Sequence, residues 1–135
     1  MSMHVRRTVL FGDCDPAGFI YTPRISHFVV EAILAFQTFR LAGSAARKIL
    51  ELGVLPPAKS MSIDFLAPLV WDDEIDMEVK CTRVGRTSFT CEVTARRQDN
   101  EVAFRAELTQ VCVSPQTKRP VELPTPLRKA LLSDL

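Results

Sequence analysis

From Lys59 to Thr109, apolar and polar residues alternate with a period of two. Met61, Ile63 and Phe65 form one apolar set; Ile75, Met77, Val79 and Cys81 form a second. Phe89, Cys91, Val93 and Ala95 form a third, and Val102, Phe104, Ala106 and Leu108 a fourth. Charged or hydroxylated residues fill the gaps, as in Glu74, Asp76, Glu78 and Lys80. Clean alternation marks strands with one buried and one solvated face. Pro68 ends the first strand, and Gly85-Arg86 and Asp99-Asn100 supply the turns of antiparallel hairpins. Upstream the period changes. Ile25, Phe28, Val29, Ala32, Ile33 and Phe36 recur at helical spacing. Val30, Leu34 and Phe39 widen the apolar side, while Arg24, His27 and Glu31 form a narrow polar stripe. The pattern predicts a helix over 23–41, with Thr22 as N-cap, Pro23 at the first position and Gly43 as the stop. A strand over 4–11 precedes it. A shorter helix over 44–52 follows, and Pro56-Pro57 breaks the chain before the strands resume. The tail adds a short helix from Pro126 onward.

One apolar sheet face needs a cover, and only one long apolar helix is at hand. At about 1.5 Å per residue that helix is roughly 28 Å long, the width of a small sheet. The expectation is an α+β fold, an antiparallel sheet of about five strands wrapped around one long central helix. A chain of 135 residues fits a single domain over 1–135, and 47% hydrophobic residues suffice for its core.

The net charge of +1 gives no bulk attraction to nucleic acid or membrane, so neither is expected as a partner. An anionic ligand would need a local cluster of cations. No apolar run reaches the roughly 20 residues of a membrane span, and Met1–Arg7 lacks the apolar stretch of a secretory signal. The expected location is the cytoplasm. The four cysteines, Cys14, Cys81, Cys91 and Cys112, form no C-x-x-C pair. No metal site is expected, and the thiols are expected free, although Cys81 and Cys91 face each other across a hairpin.

The chemistry concentrates in Phe11-Gly12-Asp13-Cys14-Asp15-Pro16-Ala17-Gly18. Two carboxylates sit in a turn-rich loop just before a helix N-terminus, where backbone N–H groups favour negative charge. Asp15 has two readings, a turn former in an Asp-Pro loop or an acid facing an oxyanion site. Cys14 has no histidine near it in sequence to activate a thiolate.

The loop resembles the signature of the 4-hydroxybenzoyl-CoA thioesterase family, whose fold is the hotdog. The likeness runs on through Ile20, Tyr21 and Pro23, with a weaker echo at Arg86-Thr87-Ser88-Phe89. The resemblance implies an acyl-CoA thioesterase that releases a carboxylic acid and free coenzyme A. It implies Asp15 as the catalytic carboxylate, either nucleophile or general base, and the Thr22 N–H as holder of the thioester carbonyl. Asp13, Gly18 and Tyr21 position the loop and substrate, and Arg86, Thr87 and Ser88 lie near the coenzyme A phosphates. It also implies a site shared between two subunits, hence a homodimer, with a homotetramer as the larger option. No cofactor is implied, since the coenzyme A thioester is the substrate. The family's acid for a ring hydroxyl falls at Val30, so a 4-hydroxybenzoyl group is not expected here. Val30, Leu55 and Met61 are the candidates for the acyl pocket. The alternatives are a thioesterase for acyl carrier protein and a non-catalytic acyl-CoA-binding protein. A hydratase of this architecture would need an Asp–His pair, which the loop lacks.

Overall fold

The computed structural model describes residues 2–133. Five strands, β1 (Met3–Thr8), β2 (Ala58–Phe65), β3 (Glu74–Val84), β4 (Ser88–Arg97) and β5 (Val102–Val111), form one antiparallel sheet in the order β1-β3-β4-β5-β2. The long helix α1 (Arg24–Leu41) lies on its inner face, and the shorter α2 (Ala45–Glu51) and α3 (Thr125–Leu132) flank α1. The expected sheet and its covering helix are both present.

The core follows the apolar pattern. Ile25, Phe28, Val29, Ala32, Ile33 and Phe36 of α1 are all buried, against Ile75, Met77, Val79, Val93, Ala95 and Phe104 of the sheet. Each such side chain contributes on the order of 1.5–3 kcal/mol by leaving water. One polar pair enters this core: Gln37 Nε2 donates to Gln110 Oε1 at 2.9 Å, and Gln110 Nε2 donates to the Pro56 carbonyl at 3.0 Å. Cys81 stands directly opposite Cys91 in the β3–β4 register, and all four thiols are free.

Several boundaries differ from the pattern. The first strand stops at Thr8 rather than Phe11, because Val9 leaves β3 and exchanges backbone bonds with the loop at Asp72 and Asp73 (2.9 and 2.8 Å). Residues Phe11–Asp13 then form one 3-10 turn. The long helix starts at Arg24, one residue later than expected. Pro23 is its N-cap, and the Thr22 side chain caps nothing. The Tyr21 carbonyl already accepts from the Arg24 N–H at 2.7 Å, so the chain is wound before a hydroxyl cap is needed. At the other end Ala42, not Gly43, takes the left-handed conformation (φ 56°).

The largest difference is on the surface. Val30, Leu34 and Phe39 of α1 are exposed, and β2 is open along almost its whole length, with Met61 and Phe65 37% and 55% exposed. β2 is an edge strand, so its outer side has no neighbouring strand among the described residues.

Candidate active site

The acid loop is a small hairpin clamped at its base. The Tyr21 N–H donates to the Asp13 carbonyl at 2.8 Å, Cys14 bridges Ile20, and the Asp15 N–H donates to the Phe19 carbonyl at 2.8 Å. At the tip the Gly18 N–H returns to the Asp15 carbonyl at 2.9 Å, with Gly18 at φ +87°. No atom would obstruct a Cβ at Gly18; the backbone angle is what calls for glycine there. The second arm is tied to the β2–β3 connection through the Ile20 N–H, which donates to the Leu69 carbonyl at 2.9 Å.

Asp13 is the hub of this loop. It is 2% exposed. Its Oδ2 accepts the Leu10 N–H at 2.9 Å, and its Oδ1 accepts Arg24 Nε at 2.8 Å and Arg7 Nη2 at 3.2 Å. Arg7 also pairs with Glu31 of α1, and its guanidinium lies 3.8 Å from the Phe28 ring centroid. One buried carboxylate therefore joins β1, the loop and the long helix. Burial alone would raise the Asp13 pKa. The Leu10 N–H, the Arg24 bond and the two guanidinium charges outweigh it and hold the carboxyl below its ordinary value.

Asp15 differs from Asp13. It is half-buried, and its Oδ1 accepts the Ala17 N–H at 2.9 Å, an Asx turn that fixes the side chain. Among the described residues its Oδ2 has no hydrogen-bond partner. A short way along the chain the Thr22 N–H also has no acceptor among the described residues, because Thr22 falls between the hairpin clamp and the helix. An unpartnered carboxyl oxygen and an unpartnered backbone donor thus flank one clamped hairpin. Thr22 lines an apolar cleft of about 300 Å³ with Phe19, Ile25, Phe65, Leu66 and Leu69. Tyr21 is exposed beside it.

Cys14 does not join this chemistry. Burial, then the charges of Asp13, Asp15 and Asp72, push its thiol above its ordinary pKa, which works against a thiolate.

The other expected residues lie elsewhere. Arg86, Thr87 and Ser88 form the β3–β4 turn. Arg86 is largely exposed, its Nε 3.3 Å from Glu122, and the turn is braced by Arg128 of α3, whose Nη2 donates to the Gly85 carbonyl at 2.9 Å. The Cys112 N–H donates to the Thr87 carbonyl at 2.8 Å, and Ser88 opens β4. β1 pairs with the first half of β3, with Thr8 opposite Glu74, so the acid loop sits at the start of β3 and the Arg86 turn at its end. Ten strand steps separate the two ends, about 33 Å. Within one chain the structure does not bring them together.

Nor do the three acyl-pocket candidates converge on Thr22. Leu55 is half-buried and bridges Val113, and Met61 lies on the open edge strand. Val30 lines a separate cleft of about 320 Å³ with Ser26, His27 and Glu31. Sequence reasoning missed Arg7 and Arg24, although two cations bracketing an acid loop offered a signal. It also missed the wall formed by Phe65, Leu66 and Leu69. Among the described residues no group of three or more His, Cys, Asp or Glu side chains could hold a metal ion. Among the described residues no single helix is long and apolar enough to cross a membrane.

A five-stranded antiparallel sheet wrapped over one long helix is the hotdog architecture. Residues 9–131 match the thioesterase-like superfamily. The chain belongs to that superfamily and is a thioester hydrolase by class. It is 29% identical to a 1,4-dihydroxy-2-naphthoyl-CoA hydrolase of Trichodesmium erythraeum, over 98% of this chain and 97% of that one. A hydrolase of the same name from Synechococcus elongatus is 27% identical over 91% and 90%. Among solved structures, a 1,4-dihydroxy-2-naphthoyl-CoA thioesterase from Synechocystis superposes with a TM-score of 0.89 at 24% identity, covering 100% of this chain and 98% of that one. A 4-hydroxybenzoyl CoA thioesterase gives 0.86 at 20% identity, covering 96% and 98%. At these identities the structural likeness speaks for the fold.

Proposed function

We propose that this protein hydrolyses acyl-CoA thioesters, with Asp15 as the reacting carboxylate and the Thr22 N–H as the oxyanion donor. The observation that carries this reading is the pair of unpartnered groups, Asp15 Oδ2 and the Thr22 N–H, held by one hairpin. A thiolate leaves readily near neutral pH, because thiols have pKa values near ~8.5, so the chemistry needs no metal and no strong general acid. Two routes fit. In the first, Asp15 attacks the carbonyl carbon, expels the coenzyme A thiolate and forms a mixed anhydride, which water then opens to the free acid. In the second, Asp15 takes a proton from a water that attacks directly. In both, the negative carbonyl oxygen rests on the Thr22 N–H, a contact of the kind typically worth about 10²–10³ in rate. The curated relatives are named for an aryl-CoA thioester, which makes such thioesters the first to assay.

The working unit in this proposal is a homodimer joined along β2. A two-fold axis normal to the sheet pairs β2 with its own copy and reverses the strand direction. The acid loop of one protomer then shares a side of the molecule with the Arg86 turn of the other, which offers its cation to coenzyme A phosphate. The open edge of β2 and the uncovered Val30, Leu34 and Met61 support this arrangement.

The test is thiol release from a panel of aryl, short-chain and long-chain acyl-CoAs, by the parent and by Asp15→Asn. Release by the parent and its loss in the variant are expected; undiminished release by Asp15→Asn would remove Asp15 from the mechanism. Turnover in heavy-oxygen water separates the routes, since only the anhydride route can leave label on Asp15.

A further inference from the structure

The second arm of the acid loop lies along the connection between β2 and β3. Besides the Ile20 bond to Leu69, Phe19 bridges Val70, and the Trp71 N–H donates to the Gly18 carbonyl at 3.3 Å. Residues 69–71 are therefore the shelf on which the hairpin carrying Asp15 rests. They belong to no strand of the sheet, and side chains give the shelf its shape. It ends in a turn where the Asp73 N–H donates to the Val70 carbonyl at 3.1 Å and Asp72 is left-handed (φ 72°). Asp73 itself is buried. Its Oδ2 accepts the Val70 N–H at 2.8 Å, which closes the turn, and its Oδ1 accepts Gln98 Nε2 at 2.8 Å. Gln98 Oε1 in turn accepts the Glu74 N–H at 3.0 Å. One residue earlier, Arg97 Nη1 donates to the Pro68 carbonyl at 2.9 Å, while its other nitrogens hold Asp99 and Glu101. The end of β4 thus grips the shelf on both sides, at Pro68 and at Asp73.

We infer, resting on the thioesterase reading above, that Asp73 is a positioning residue for Asp15, acting with Gln98 and Arg97 through the backbone of the shelf. Asp13 ties the first arm of the hairpin to β1 and α1. Asp73 fixes what the second arm lies on, so the hairpin is held from both sides. No proton or substrate atom passes through Asp73; its role is to keep Val70 and Trp71 where Phe19 and Gly18 meet them. A buried carboxylate that loses either donor leaves a polar group unpaired, and the turn shifts to find water. A displacement of about 1 Å at the reacting groups can cost 100-fold in rate, which is how a side chain remote from the carbonyl reaches the chemistry.

The experiment measures kcat and KM for thiol release from benzoyl-CoA and hexanoyl-CoA, together with Tm and amide hydrogen exchange over residues 15–22. The variants are Asp73→Ala, Gln98→Ala, the exchanged pair Asp73→Asn/Gln98→Glu, and Asp73→Ala combined with Asp15→Asn. Asp73→Ala should lower kcat about 10- to 100-fold, leave KM within about twofold, and speed exchange over 15–22 about tenfold. Gln98→Ala removes an exposed side chain and should shift kcat and exchange the same way, less far. The exchanged pair keeps the bonds to Val70 and Glu74 and reverses donor and acceptor between positions 73 and 98. It should bring kcat back to within about threefold of the parent. With Asp15→Asn in place, Asp73→Ala should change the residual rate by less than about twofold, because the group being positioned is already gone. A structural role alone predicts a lower Tm with kcat unchanged below the transition, no rescue by the exchanged pair, and lesions that multiply; any of these overturns the inference. If Asp73→Ala does not fold, kcat and exchange at parental values in Gln98→Ala overturn it instead. Undiminished release by Asp15→Asn ends the reading of Asp15 as the reacting group. The exchange rates then still decide whether Asp73 holds the loop, and unchanged exchange in Asp73→Ala would show that it does not.

Discussion

The acid loop and the Arg86 turn both carry residues that the family resemblance assigns to the substrate, yet they are built on opposite principles. In the loop, charge is buried and tied: Asp13 accepts from Leu10, Arg7 and Arg24, and the hairpin above it is closed by backbone bonds. In the turn, the backbone is braced by Arg128 while the Arg86 side chain reaches into solvent toward Glu122. The difference teaches where precision is required. On the proposed mechanism, chemistry at a carbonyl tolerates little displacement of the reacting groups, which suits a loop tied in place by the chain's own bonds. A phosphate can be met by a long cation from many positions, so the turn needs only a stable root.

Four measurements press on this contrast, the strongest first. Asp15→Asn should lower kcat by about 10²–10⁴ with little change in Tm, because the Asp15 side chain bonds only to Ala17 in its own turn. Asp13→Asn should lower both stability and kcat. Breaking a buried ion pair by removing one partner costs about 3–5 kcal/mol, read as an earlier urea midpoint. A third test follows from the lowered Asp13 pKa. That carboxylate stabilises the fold above the ordinary aspartate value of 3.8, and the contribution is lost as pH falls through its lower folded value. The gap in Tm between the parent and Asp13→Asn should therefore be full at neutral pH and close below about pH 3.8. A gap that widened in acid would contradict the bonding described for Asp13. The smallest effect belongs to the turn: Arg86→Ala should raise KM for acyl-CoA a few-fold, leave kcat and Tm nearly unchanged, and lose its effect at high salt.

Much of the architecture was legible because period alone separates a helix from a strand. The six α1 residues at helical spacing are all buried, with polar Gln37 beside them, and the four alternating runs became β2 to β5 in the expected order. The pattern could not say which apolar faces the chain itself covers. Val30 and Leu34 look like core in sequence and are open in the structure, since hydrophobicity does not distinguish a neighbour in the same chain from one in another. The loop motif pointed to Asp13 and Asp15, and the turn at Gly18 was readable from the glycine. The guanidinium pair around Asp13 was not, because Arg7 and Arg24 reach it only through the meeting of β1 and α1. The cleft wall was hidden for the same reason: Phe65 and Leu66 meet Thr22 only when the end of β2 folds against the start of the long helix.

The placement of loop and turn at opposite ends of β3 carries a consequence for mixtures of variants. In a dimer joined as proposed, each active centre borrows its two ends from different copies. A copy changed at Asp15 would lose turnover alone, and a copy changed at Arg86 would keep turnover but with a raised KM. Co-expressed, they would pair so that one centre inherits both lesions and the other inherits none. Turnover with the parent's KM, recovered from two damaged genes, would then report, without any image of the assembly, that the protein divides its labour between copies.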